Sequence, residues 1–259
     1  MALINAHLTR QFDLIPEKVL SEKINIIGAG AIGSFVCLAL AKMGFTKIEV
    51  WDADTVSIEN MNSQFYRFSD IDKPKVIALR ELVEDFTKVK IKTNPFHYEE
   101  GALDGIVISA VDSMAVRKEI WKNHFQKNPH TKMVFDPRMG AEQALIYAVN
   151  PLDRKADEWY QKTLYSDDDA VEERCTAKAT IYTVNLVSGY VVKLIKDFLV
   201  KGECLKQIAW SIKDDDLETF KKPLPKKKTG KEAYPPNYAT SGTSIDFGPI
   251  TSTTNGPPF

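Results

Sequence analysis

A glycine turn between a short apolar run and a helix-like segment does most to limit what this chain can fold into. Ile24-Asn-Ile-Ile27 leads into Gly28-Ala-Gly30-Ala-Ile-Gly33, and a mainly apolar stretch runs on to Met43. Strand, tight turn and helix in that order open a nucleotide-binding βαβ unit. The glycines permit the turn and let the backbone approach a phosphate or ribose, while the helix N-terminus adds a positive end. Lys47–Trp51 reads as a second strand. It ends at Asp52, about 20 residues past the turn, where a carboxylate can accept bonds from ribose hydroxyls. The turn by itself does not choose between NAD and ATP.

The same rhythm continues. Pro74 opens a helical stretch with Val76, Leu79, Leu82, Val83 and Phe86 at helical spacing. Val89–Thr93 reads as a third strand. Ile106–Val111 is a continuous apolar run, as in a strand buried on both faces of a parallel sheet. A helix is expected from about Met114 to Phe125, then a strand at Met133–Phe135. Gln143–Val149 comes next with no helix between, so an antiparallel strand is expected there. Residues 151 to 175 read as irregular. Ala177–Val200 reads as a long helix, apolar nearly all round and so buried on more than one side. The fold class is α/β: a doubly wound, mainly parallel sheet with a Rossmann-like nucleotide site and some antiparallel strands in the C-terminal half. One domain over 1–205 is expected, with 206–259 an extension. Its lysine- and proline-rich stretch Lys221–Lys231 and its Pro/Gly/Ser/Thr-rich end read as linker and tail.

The segment after Asp52 is unusual for a dehydrogenase. It runs Asp52-Ala-Asp54-Thr-Val, then Asn60-Met-Asn62-Ser63-Gln64-Phe-Tyr-Arg67, then Asp70-Ile-Asp72-Lys-Pro74-Lys75. Here the chain resembles the ThiF/MoeB/HesA adenylyltransferases, relatives of the ubiquitin-activating enzymes; Phe135–Pro151 and the later Cys175-Thr-Ala-Lys-Ala-Thr-Ile-Tyr-Thr also look similar to ThiF-like proteins of bacterial and phage gene clusters. That family carries a glycine turn, D-x-D-x-V, N-L-x-R-Q and D-I-G-x-P-K elements in this order. It also carries an N-terminal R-Q pair, matched by Arg10-Gln11, and an aspartate after a later strand, matched by Asp112. The resemblance covers roughly residues 8 to 200. It implies that Asp52 holds the ribose, Lys75 contacts ATP phosphates and Asp112 holds Mg²⁺. It also implies that Arg10 reaches the ATP of a neighbouring subunit in a homodimer. Asp54, Asn60 and Gln64 are further polar contacts in this reading, although turn chemistry also favours such residues.

The residues supply independent arguments for two of these roles. Lys75 falls in the first turn of its helix, where a cation meets the positive end of the dipole and is disfavoured by roughly 0.3–1 kcal/mol; a nearby phosphate reverses that sign. Asp112 stands after a buried strand, where ligands of open α/β sheets collect, although it could equally cap the next helix.

Ser63 stands where the family has a phosphate-contacting arginine. Loss of one arginine from a phosphoryl-type transition state can cost on the order of 10³ to 10⁵ in rate. Arg67 and Arg138, the latter in Asp136-Pro-Arg138, are the candidate substitutes. Cys175 precedes the long helix, with Lys178 adding a cation and Glu172 and Glu173 opposing; it is either a thioester nucleophile or a small buried residue. Cys37 reads as core, and Cys204 has no visible partner.

ATP and Mg²⁺ are thus the expected cofactors, and the expected reaction is adenylation of the C-terminal carboxylate of a ubiquitin-like or sulfur-carrier protein. The alternatives are a non-catalytic pseudoenzyme of the same fold, or an NAD-dependent oxidoreductase. The three cysteines form no C-x-x-C pair, so no zinc site is expected. A formal net charge of −1 argues against nucleic acid as a partner. The absence of a long apolar window argues against a membrane, and a cytoplasmic location is expected. His7, His97, His124 and His130 make no metal spacing and read as surface or loop residues.

Overall fold

A computed structural model describes residues 6–99, 103–126, 128–164 and 180–221. Eight strands form one sheet: β1 Lys23–Ile27, β2 Lys47–Trp51, β3 Lys92–Asn94, β4 Gly105–Ser109, β5 Thr131–Gly140, β6 Gln143–Val149, β7 Gln207–Ser211 and β8 Asp216–Phe220. Their order is β3-β2-β1-β4-β5-β6-β7-β8. The first five run parallel, and β6, β7 and β8 are antiparallel to their neighbours. Among the described residues five α-helices flank the sheet: α1 Ala31–Lys42, α2 Lys75–Thr87, α3 Met114–Ile120, α4 Arg154–Gln161 and α5 Ile181–Lys201.

Strand alternation divides the core in two. Ile106 and Ile108 of β4, Met133 and Phe135 of β5, and Ile146 of β6 point to one face, where Val36 and Leu40 of α1, Leu79 of α2 and Val187, Val191 and Leu194 of α5 cover them. Val107, Val134, Tyr147 and Val149 point to the other, under Ile120 of α3, Trp121, Phe125 and Tyr160 of α4. Both faces of β4 are therefore buried, as its unbroken apolar run requires. The strand order reverses between β1 and β4. At such a switch point the two flanking crossovers diverge and leave a crevice at the carboxyl ends of the strands.

Several elements differ from the sequence-based expectation. The sheet continues past residue 205: Gln207–Ser211 and Asp216–Phe220 extend it by two strands, because Ile208 and Ala209 have an apolar face to bury beside β6. The third strand is shorter and later, at Lys92–Asn94. The helix from Met114 is α-helical only to Ile120 and passes into a π turn over Trp121–Phe125. Within the stretch taken as irregular, Asp153 caps α4 by accepting from the Lys155 and Ala156 amides. The long helix begins at Ile181 rather than Ala177, with Thr180 as its N-cap. It is buried along one side only: Ile181, Tyr182, Leu186 and Val200 are exposed. Cys37 is fully buried in the core, as expected, and burial pushes its thiol far above the usual range.

Candidate functional site

A cleft of about 930 Å³ opens at the switch point. It gathers residues distant in sequence: Gly28, Gly30, Asp52, Asp54, Gln64, Lys75, Asp112 and Arg138 all line it.

The glycine turn is built by close backbone approach. Gly28 has φ +97°, and a Cβ there would sit 2.4 Å from the Ala110 carbonyl oxygen at the end of β4. A Cβ on Gly33 would sit 1.9 Å from the Gly28 carbonyl oxygen, where α1 crosses the turn. These two glycines are required by the fold itself. Gly30, the N-cap of α1, differs: a Cβ there would meet nothing within 4 Å. The space beside it lies in the cleft. Asp52 fixes the turn from β2, its carboxylate accepting from the Ala29 amide at 2.6 Å and from the Asp54 amide at 2.8 Å. The Tyr66 hydroxyl donates to the Ala29 carbonyl at 2.6 Å from beneath. Burial, and next the Asp52 charge, push the Tyr66 phenol well above its usual value, so it remains a donor.

Lys75 is the first residue of α2, after Pro74 as N-cap. Its ammonium is buried while its one carboxylate partner is not: it meets Asp54 at 2.7 Å, with side-chain exposures of 8% and 65%. The Lys75 amide also donates to the Asp54 carbonyl at 2.9 Å, so backbone and side chain tie α2 to the segment after β2. Gln64 lines the cleft, and among the described residues its buried Oε1 has no hydrogen-bond partner. A buried acceptor in a residue of the cleft wall calls for a donor from a ligand or water.

Asp112 lies exposed on the rim after β4. It does not cap the following helix. Ser113 is the N-cap of α3, accepting from the Val116 amide at 3.3 Å, which leaves the Asp112 carboxylate to the cleft.

The wall beside Asp112 holds a group that sequence reasoning passed over. Asp136, at the end of the buried part of β5, is wholly inaccessible and binds two arginines. Arg117 of α3 donates its Nε to Oδ1 at 2.7 Å. Arg138 donates Nε and Nη2 to Oδ2 at 2.9 and 2.8 Å, and the Tyr160 hydroxyl adds a bond of 2.7 Å. Burial works to raise the Asp136 pKa, but Arg117, Arg138 and Tyr160 outweigh it and hold the carboxyl below the usual carboxylate range. Arg117 also donates to the Val111 carbonyl, next to Asp112. Arg138 stacks 4.5 Å from the Tyr147 ring centroid and donates to the Thr163 carbonyl and hydroxyl. The signal in the sequence was an apolar strand running into Asp136, the same pattern that singled out Asp112.

At the other end of the cleft Tyr98 stands edge-on to Trp51 and to His124, with ring centroids 5.5 and 4.8 Å apart. His97, exposed and in a loop as expected, and the half-buried His124 also line the cleft.

Other expected residues lie away from the cleft. Arg67 is forked onto Asp70 at 2.9 and 3.0 Å and reaches Glu81 and Asp85, so its charge is spent in an acidic network on α2. Asn60 closes its own turn, accepting from the Ser57 amide at 2.9 Å. Ser63 is buried and is absent from the cleft wall. Arg10 is exposed in a short 3₁₀ helix, Ala6–Gln11, while its neighbour Gln11 anchors to the Met43 carbonyl. Cys175, with Glu172, Glu173 and Lys178, lies outside the described residues.

The donor set fits a magnesium nucleotide better than a resident metal. Among the described residues no three His, Cys, Asp or Glu side chains come together as a cluster. Magnesium is commonly held by one or two carboxylates plus the substrate's phosphates, which is what Asp112 beside an open Gly30 can offer. Among the described residues no helix is long and apolar enough to cross a membrane.

Comparison with known proteins adds to this geometry. The ThiF family profile matches residues 8–228. The ubiquitin-activating enzyme E1-like protein of Saccharomyces cerevisiae is 32% identical over 117 residues, 41% of this chain and 18% of that protein. The NEDD8-activating enzyme E1 catalytic subunit of Schizosaccharomyces pombe is 35% identical over 120 residues, 40% of this chain and 26% of its own. The tRNA threonylcarbamoyladenosine dehydratase 1 of S. cerevisiae is 37% identical over 84 residues, 30% of this chain and 20% of its own. The chain thus aligns with about a quarter or less of each of these relatives. Among solved structures, E. coli MccB with ATP superimposes with a TM-score of 0.65 at 14% identity, covering 83% of this chain and 71% of MccB. PaaA gives 0.63 at 17% identity, covering 85% and 73%. At such identities the likeness is one of fold.

Proposed function

The chain belongs to the ThiF family, and from that premise we propose that it is an ATP-dependent adenylyltransferase acting on the terminal carboxylate of a ubiquitin-like or sulfur-carrier protein. The observation that carries this reading is the single cleft that gathers Gly30, Asp52, Lys75 and Asp112. Adenine suits the aromatic end by Trp51 and Tyr98. Asp52 keeps lone pairs for ribose hydroxyls beyond its two backbone bonds, and Gln64 Oε1 supplies an acceptor. The open space at Gly30 and the N-terminus of α1 admit a phosphate. Lys75 offers a buried cation, and Asp112 offers a hard ligand for the magnesium that accompanies ATP.

In this reading a substrate carboxylate oxygen attacks the α-phosphorus. The new O–P bond forms as the bond to the bridging oxygen breaks, and pyrophosphate leaves with the electron pair. Lys75 stabilises charge developing on the phosphates in a site of low dielectric, where a preorganised cation counts most. Magnesium, when present with the nucleotide, supplies further charge neutralisation. Transfer to Cys175 and pairing of Arg10 with a second subunit belong to the same proposal.

The test is ATP–pyrophosphate exchange by the purified full chain with Mg²⁺ and a panel of glycine-terminated ubiquitin-like proteins. Exchange that depends on one of them, and that Asp112→Ala removes, supports the reading; undiminished exchange in that variant rejects the role of Asp112. A nucleotide-binding pseudoenzyme is the second reading. It is favoured by the placement of Ser63 and Arg67 away from the cleft, and ATP binding without exchange would support it. Family membership leaves the oxidoreductase alternative without support.

A further inference from the structure

Charge is distributed unevenly across the cleft. On the β1–β2 side the Lys75 ammonium already has a carboxylate at 2.7 Å, Asp54. On the β4–β5 side two guanidiniums share one carboxylate. Arg117 and Arg138 both pair with Asp136, and their side chains are 5% and 9% exposed. Two positive charges against one negative leave an excess of one, largely removed from water. Such an excess is costly unless an anion completes it.

The hydrogen bonds distinguish the two arginines. A guanidinium has five N–H donors. Arg138 commits Nε, both Nη2 hydrogens and one Nη1 hydrogen to Asp136 and Thr163. It therefore has no fork left for a second anion, which removes the bidentate phosphate contact expected of it as the substitute for the missing arginine. Arg117 commits Nε to Asp136 and one Nη2 hydrogen to the Val111 carbonyl. Among the described residues its Nη1 hydrogens have no acceptor, and Arg117 lines the cleft next to Asp112.

We propose that the Arg117–Asp136–Arg138 group is the subsite for the carboxylate that is to be activated, with Arg117 the contacting residue. This deepens the adenylation reading and rests on it. Three observations favour a carboxylate over the nucleotide's phosphates. The groups that would touch phosphate oxygens directly, Gly30, the N-terminus of α1 and Lys75, lie with β1 and β2, while Asp112 on the β4 side is an anion that would meet them only through magnesium. The arginine pair lies on the opposite side of the switch point, with β4 and β5. A single excess charge matches a monoanion, not a polyphosphate. Asp136 and Tyr160 then act as positioning residues, holding the guanidinium planes so that Arg117 faces the cleft.

The carboxylate loses its charge when its oxygen bonds to phosphorus. An interaction that holds the charged ground state and is weakened in the transition state acts on substrate affinity and does not speed the chemical step, so its loss raises KM without lowering kcat. A phosphate contact would give the reverse.

The test uses the full chain and a minimal probe, N-acetylglycylglycine, against its C-terminal amide. Binding is followed by calorimetry with a non-hydrolysable ATP analogue present, and by the Arg117 side-chain NMR signals. The carboxylate is expected to bind at least about tenfold more tightly than the amide and to move the Arg117 signals. Arg117→Met should erase that difference while changing ATP-analogue affinity less than about twofold. Arg117→Lys, which keeps the charge but not the fork, should retain part of it and serves if the first variant is misfolded by circular dichroism. Equal binding of acid and amide, or no binding of either at millimolar concentration, overturns the proposal. Loss of ATP-analogue affinity in Arg117→Met overturns it too, because the group is then a phosphate site. Failure of the wild-type chain to bind the ATP analogue would instead defeat the adenylation reading beneath it.

Discussion

Replacing Asp136 by Asn tests whether the buried arginine pair is as dehydrated as its geometry requires. Asn is nearly isosteric, so packing against Tyr160 and Tyr147 is kept while the charge is lost. Two guanidiniums, 5% and 9% exposed, would then share a neutral amide whose NH₂ faces their donors. Removing one partner of a buried ion pair costs about 3–5 kcal/mol, because an uncompensated charge is left behind. For a folded unit of this size, about 2–4 °C of melting temperature accompany each kcal/mol, so a fall of roughly 6–20 °C is expected. Thermal unfolding at neutral pH, followed by circular dichroism, measures it. The exposed pair Arg154–Glu158 provides the control: Glu158→Gln should change stability by less than about 0.5 kcal/mol. The effect of Asp136→Asn should also depend on pH. The Asp136 carboxyl lies below its ordinary value of 3.8 in the folded chain, so its contribution is fully present above that value and is lost as pH falls through the depressed one. Wild type and variant should therefore converge only in strong acid. A shift under about 1 kcal/mol at neutral pH would refute the reasoning, since water would then have to reach the arginines.

The glycine turn separates structural from ligand-facing positions. Gly33→Ala places a methyl 1.9 Å from the Gly28 carbonyl oxygen and should destabilise by about 1–3 kcal/mol or more, read by urea denaturation. Gly30→Ala meets open space and should leave stability within about 0.5 kcal/mol while weakening ATP-analogue binding, read by calorimetry. Lys75→Met should lower exchange by roughly 10² to 10³ without lowering the melting temperature, because Asp54 is exposed and loses little when unpaired. Ser63→Arg, which restores the family's residue, should not restore a phosphate contact. Ser63 is 8% exposed and off the cleft wall, so the larger side chain should cost about 1–3 kcal/mol, seen as a lower melting temperature with exchange no faster than wild type.

Local sequence determined the first half of the molecule. Gly33 is a short-range device, packed on the Gly28 carbonyl five residues back, and the spacing of Gly28 and Asp52 made the turn legible although their contacts reach Ala110 and Ala29 across the sheet. The continuous apolar run of β4 demanded burial on both faces, and with strands alternating with helices this pointed to a doubly wound sheet. The helix starting after Pro74 came from one residue's fixed φ. The place of Asp112 and Lys75 in the cleft wall was legible because they stand at a strand end and a helix start.

Tertiary structure decided what depends on partners far along the chain. The strands at Gln207–Ser211 and Asp216–Phe220 carry weak patterns, and only the open edge of β6 makes them part of the sheet. Arg67 and Arg138 were alike as sequence. One is captured by Asp70, Glu81 and Asp85, the other by Asp136, because a charged side chain takes the nearest carboxylate that folding supplies. Arg117 carries no motif of its own, and its place beside the cleft exists only because α3 packs its first turns onto the end of β5. The glycine turn is thus legible from its own residues, although the contacts that hold it reach Asp52 and Ala110. Which cations line the cleft was left to charge pairing across the sheet, and that is settled only when the strands are side by side.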